Sequence, residues 1–169
     1  MSTTTATPPV GTTVTYASFG ARFLALIIDW VVISVLQSLL IVPLLGAIGF
    51  SMAPALQNPE GLSETEAAGM LAGMMAAMGS MWIISICVSL LYFGIMESSK
   101  TQGTLGKMAL SIKVTDLNGD RISFGKSILR QIGKYISGMI LLIGYLLAAF
   151  TEKKQALHDM IASTLVLKK

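Results

Sequence analysis

The stretch Phe23 to Phe50, FLALIIDWVVISVLQSLLIVPLLGAIGF, holds a single ionisable side chain, Asp29. A transmembrane helix needs about 20 predominantly apolar residues, so this run predicts a membrane span, and its neighbours say how Asp29 is placed. Arg22 immediately precedes it. A seven-residue spacing at about 100° per residue returns Asp29 to within about 20° of Arg22, while the helical rise separates them by about 10 Å. The two share a face, but Arg22 snorkels toward the near surface, so each needs a different partner. Near mid-membrane an ionised Asp costs about 2.5–3.5 kcal/mol, and that cost calls for compensation. Gln37, about 80° around the helix from Asp29 on the same side, extends the polar stripe.

Outward from this helix the pattern repeats. Met70 to Met96 is a second apolar run with no charged residue. The intervening Ser51 to Gly69 carries Glu60, Glu64 and Glu66 and no Lys or Arg, whereas Glu97 to Lys134 carries seven basic residues. The bias of Lys and Arg toward the cytoplasmic side places the acidic loop outside and the amino terminus and basic segment inside. A chain 53% hydrophobic and only 12% charged falls outside the range of soluble domains. Its basic pI reflects orientation rather than nucleic-acid binding. Cys87, the only cysteine, lies in the second run, so neither a disulfide framework nor a cysteine metal site is available.

Tyr135 to Phe150 is a third apolar stretch, but at about 24 Å it is short of a ~30 Å hydrocarbon core. A hairpin passage with breaks at Gly138 and Gly144 would keep all 12 basic residues on one side. Ser123 to Ile136 reads as a basic amphipathic helix leading into it. Ser111 to Thr115 and Thr164 to Lys168 alternate as β-strands, with a turn signal at Asn118-Gly119, and their pairing would put both on one membrane face. The expected fold is therefore an all-α membrane protein. After a disordered tail (1–17), the membrane domain (18–169) has helices at about 19–48 and 68–97 and a cytoplasmic linker at 98–122. An amphipathic helix with a short membrane hairpin (123–150) and a carboxyl-terminal helix and strand (154–168) complete it, with a small cytoplasmic β element.

Asp29, with Gln37, is the candidate for a cation or proton pathway, because intramembrane ionisable groups are functional candidates by default; the alternative is a structural carboxylate that meets Arg130 or Lys134. Asp159 is placed to receive Arg22 and close the carboxyl-terminal helix on the first. His158 and Asp159 point about 100° apart on a helix and read as separate anchors. Met70, Met74 and Met78 form a thioether stripe of the kind that suits Cu(I), although Met is also an ordinary apolar filler. Gly69, Gly73, Ala76 or Ala77, and Ser80 make a small-residue face suited to close helix approach. Gly103 and Gly106 read as a flexible linker. With one His and one intramembrane Cys there is no nucleophile–base–orienter set, so neither enzymatic activity nor a cofactor is expected; the expected partners are the lipid bilayer and a second copy or a membrane subunit.

Taken together, these residues resemble the RDD family of membrane proteins, named for one arginine and two aspartates. Arg22 and Asp29 match the first two positions, and Lys153-Lys154-Gln155-Ala-Leu-His158-Asp159 resembles the family's ending, which makes Asp159 the second aspartate. Gln102 to Lys107, Ile112 to Val114, Ser123 to Gly125 and Arg130 are similar to its linker; Leu110-Ser111 departs from it where a glycine is expected. The resemblance implies a transport-related membrane protein; the alternative, from the residues themselves, is a non-catalytic scaffold or accessory subunit in which Arg22, Asp29 and Asp159 only hold the fold.

Overall fold

The computed structural model describes residues 15–58, 61–139 and 143–169; Met1 to Val14, most of the expected disordered tail, lie outside them. α1 (Phe19–Gln57) starts where the Ser18 hydroxyl accepts a hydrogen bond from the Ala21 amide, as N-caps do. α2 (Glu64–Ser98) starts at a full capping box in which Ser63 and Glu66 satisfy each other's backbone amides. Both helices outrun their expected limits. α1 carries Pro43 and Pro54 without ending, and Glu64 and Glu66 suit the positive end of α2. At 39 residues α1 is about 58 Å long, well beyond a ~30 Å core. Asp29 meets Tyr92 and Gln37 meets Ser85, so the helices run antiparallel. Their outer surfaces are apolar: Trp30, Leu39, Phe50 and Trp82 are 67–85% exposed, as suits a lipid solvent.

Beyond α2 come α3 (Leu105–Ala109), β1 (Ile112–Asp116), α4 (Phe124–Met139), α5 (Ile143–Phe150), α6 (Leu157–Ile161) and β2 (Thr164–Lys168). β1 and β2 pair antiparallel, Val114 opposite Val166, as the alternating pattern predicted. Tyr16 bridges Leu167, and the Ala17 amide donates to the Val166 carbonyl. Residues 15–17 are thus part of the fold rather than of a disordered tail, and Ala17 joins Ala25, Ile112, Val114, Ile122 and Val166 in a small core. At Asn118-Gly119 the chain does turn, with Gly119 at φ 91°.

Phe124–Met139 and Gly144–Phe150 are inclined at 99°, a bend that falls between Gly138 and Gly144, the expected break points. α4 is amphipathic, as predicted, with its polar face inside: Ser127, Arg130, Gln131, Lys134 and Ser137 are buried, while Phe124, Leu129, Ile132, Ile136 and Met139 are exposed. The basic face turns inward because α2 and α6 carry the carboxylates that pair with it.

Candidate functional site

Three buried carboxylates organise the interior. Asp29 Oδ1 accepts from the Tyr92 hydroxyl and from the Gly106 amide, each at 2.8 Å, and Oδ2 accepts from the Thr104 hydroxyl at 2.5 Å. Thr104 also caps α3, taking the Lys107 amide. Asp29 is therefore a staple joining α1, α2 and the start of α3. Gly106 has to be glycine here, because a Cβ would run into the Ala25 carbonyl and the Asp29 carboxyl. The segment expected to be a flexible linker is instead a fitted turn whose backbone amide is a ligand for Asp29.

Glu97 is fully buried and draws cations from two elements. Lys107 Nζ pairs with Oε1, Arg130 Nη1 with Oε2 at 2.9 Å, the Ser127 hydroxyl donates to Oε2 at 3.1 Å, and Lys134 Nζ lies 3.9 Å away. The Lys134 ammonium also sits 3.7 Å from the centre of the Phe93 ring, a cation–π contact. Asp159, the third carboxylate, takes Arg22 Nη1 on Oδ2 and Arg130 Nη2 on Oδ1, the latter at 2.5 Å. Arg130, 1% exposed, thus bridges Glu97 and Asp159. The result is a continuous network, Lys107–Glu97–Arg130–Asp159–Arg22.

Burial alone would push the Asp159 carboxyl up, but Arg130, His158 and Arg22 together hold it well below the usual carboxylate range. His158 is pushed down to about 3, chiefly by burial, so its imidazole is neutral beside Asp159. Four basic side chains (Arg22, Lys107, Arg130, Lys134) face three carboxylates (Asp29, Glu97, Asp159), one more basic group than acidic. A cavity of about 420 Å³ opens among these groups; Asp29, Arg22, Lys107, Arg130 and Lys134 all contribute to its wall, and most of the rest of that wall is apolar.

Of the residues singled out by sequence, Arg22, Asp159 and Arg130 meet in one network, and Arg22 pairs with Asp159 rather than with Asp29. Arg130 does not serve Asp29 as counter-charge, because Glu97 and Asp159 claim both of its terminal nitrogens. Gln37 reaches back to the Ser85 carbonyl at 3.3 Å and ties α1 to α2. Met74 and Met78 are 47% and 63% exposed on the outer face of α2, and among the described residues no His, Cys, Asp or Glu cluster that could hold a metal ion joins them. Gly69 and Gly73 have open space at their Cα atoms. Glu97, Tyr92 and Thr104 were missed as site residues. Glu97 carried a signal, being the first charge after a long uncharged helix; Tyr92 and Thr104 carried none.

Residues 16–163 match the model of the RDD family. The chain is 39% identical over 153 residues to "Uncharacterized protein YxaI" of Bacillus subtilis (strain 168), covering 90% of this chain and 97% of that protein. It is 31% identical to "Uncharacterized membrane protein YteJ" of the same organism, over 90% of this chain and 80% of the relative. A shorter match, 29% identical over 51% of this chain and 34% of the relative, is to "Proline-rich antigen" of Mycobacterium leprae (strain TN). No solved structure matches.

Proposed function

The chain belongs to the RDD family, and from that premise we propose that it is a non-catalytic membrane scaffold or accessory subunit in which Arg22, Asp29 and Asp159 hold the polar interior together. The observation that carries this reading is the coordination of Asp29: both oxygens are occupied by donors from the protein itself, at 2.5–2.8 Å. A carboxylate satisfied in this way has little to offer a passing ion. The basic groups around the cavity, one more than the carboxylates, also disfavour entry of another cation. In this reading both termini and the sheet lie on the cytoplasmic face of a bacterial cytoplasmic membrane. The pairing of residues 15–17 with β2 supports one face for both ends, and the 99° bend between α4 and α5 supports a re-entrant passage.

A second reading, a cation or proton pathway through Asp29 with Gln37 beside it, draws support from the contribution of Asp29 to the cavity wall. The experiment that separates the two is cation-dependent proton flux in proteoliposomes, comparing wild type with Asp29→Asn. The scaffold reading expects no flux above empty vesicles from either protein. It also expects Asp29→Asn to lose on the order of 2 kcal/mol of stability in detergent, because an amide cannot accept from all three donors. Wild-type flux abolished in a folded Asp29→Asn protein would overturn it. Proteolytic or maleimide access to the carboxyl terminus from the cytoplasmic side alone checks the topology, and crosslinking in membranes seeks the second copy or partner subunit.

A further inference from the structure

The ion-pair network leaves donors over. Arg22 Nε and Nη2 and Arg130 Nε are buried without a hydrogen-bond partner among the described residues, although buried polar groups are rarely left so. Arg130 is 1% exposed, so bulk solvent does not supply the missing partner. Lys134 is 3.9 Å from its nearest carboxylate oxygen, beyond hydrogen-bonding distance. All three side chains contribute to the wall of the same cavity, in a cluster with one more basic group than carboxylates. The geometry calls for an anion.

The remainder of the wall says what kind. Phe19, Phe23 and Leu26 of α1 and Leu146 of α5 also line the cavity, and they are 37–52% exposed on the apolar outside of the protein. The opening therefore faces the medium that bathes the helices, and a hydrated ion would have to cross an apolar rim to reach the cations. An anionic head attached to an apolar body satisfies both halves at once: guanidinium groups match phosphate oxygens in shape and charge, and acyl chains match the rim. About 420 Å³ accommodates a phosphate and its adjoining glycerol, with the chains remaining outside.

We propose that this cavity is a binding site for an acidic phospholipid, its phosphate held by Arg22, Arg130 and Lys134 and its chains leaving over Phe19, Phe23, Leu26 and Leu146. The unpartnered guanidinium nitrogens and the surplus basic group select a net-negative lipid over a zwitterionic one. This site is independent of whether the protein transports anything.

The test uses full-length protein purified in a neutral detergent, with lipid retention read by native mass spectrometry and affinity by thermal shift on titration. Phosphatidylglycerol, phosphatidylcholine and inorganic phosphate are the three probes. Phosphatidylglycerol is expected to bind about tenfold more tightly than phosphatidylcholine, the equivalent of ~1.4 kcal/mol, and inorganic phosphate to give no shift. Lys134→Met is expected to lose about tenfold in phosphatidylglycerol affinity, as the loss of one charge-assisted contact would give. Leu26→Trp blocks the mouth without touching the charges, so it decides the matter should Lys134→Met fail to fold. Its melting temperature is expected to match wild type, with phosphatidylglycerol binding lost. Equal binding of both lipids, a shift with inorganic phosphate equal to that with phosphatidylglycerol, or undiminished affinity in Leu26→Trp would each overturn the proposal.

Discussion

Replacing Glu97 by Gln tests the network at its most loaded point. The substitution keeps volume and shape but removes the charge that Lys107, Arg130 and Lys134 share. Four cations would then face two carboxylates, and the new amide would turn a donor toward other donors. Arg130 would keep Asp159, while Lys107, itself mostly buried, would keep no ion-pair partner. Removing one member of a buried ion pair costs about 3–5 kcal/mol because the other charge is stranded. At about 2–4 °C per kcal/mol for a chain of this length, the melting temperature should fall by roughly 6–20 °C. Thermal unfolding followed by circular dichroism in a neutral detergent measures this. The double mutant Glu97→Gln/Lys107→Met supplies the control: if the charges are coupled, the second change should recover roughly 0.5–3 kcal/mol relative to the sum of the singles. A Glu97→Gln protein that melts with wild type, or strictly additive singles, would refute the view that this carboxylate holds the interior together.

Three further outcomes are expected. Gly106→Ala forces a Cβ against the Ala25 carbonyl and should cost about 1–3 kcal/mol, read as faster proteolysis of the segment between α2 and α4. Ser111 adopts φ 53°, a left-handed conformation unfavourable to any residue but glycine, so Ser111→Gly should raise stability by on the order of 0.5 kcal/mol, measured as a higher melting temperature. For His158, the folded value near 3 lies below the ~6.5 of an unfolded imidazole, so the unfolded chain takes up a proton that the folded one refuses. Stability is then complete above about pH 6.5 and is lost as pH falls toward 3, by about 2 kcal/mol at pH 5. Asp159 is also depressed, but its contribution declines only below about pH 4, so the difference in slope between wild type and His158→Gln from pH 7.5 to 5 measures the His158 contribution, and the substituted protein should show the shallower slope.

The two long helices were legible because lipid imposes a simple rule on sequence: a run of about 20 apolar residues has few other uses. The strands were legible for a similar reason, since alternation over five residues and a turn at Asn118-Gly119 leave little choice. The glycine expected near Leu110-Ser111 has its explanation in the positive φ of Ser111. Helix ends were less legible, because capping by Ser63 and Glu66 extends α2 into a loop that composition alone marks as polar. The full set of partners on the inner face of α4 was illegible, since an amphipathic pattern gives the angle between faces but not what each of them meets. For the same reason Asp29 looked like a charge in search of a cation. That its partners are a tyrosine, a threonine and a backbone amide follows from where α3 docks, which no local signal announces.

The pairing of Arg22 with Asp159 joins residues 137 positions apart, and this separation has a consequence for biosynthesis. At about 5–20 residues per second the ribosome needs roughly 7–27 s to travel from one to the other. For that interval the first helix waits in or at the bilayer with its arginine lacking an anion. Asp29 waits as well, until Thr104 and Gly106 emerge. A nascent chain stopped before Leu157 would hold the Asp29 staple and the Glu97 pairs but would leave Arg22 and one side of Arg130 without their carboxylate. α6, arriving late, supplies the anion that the first helix has carried a charge for since its synthesis.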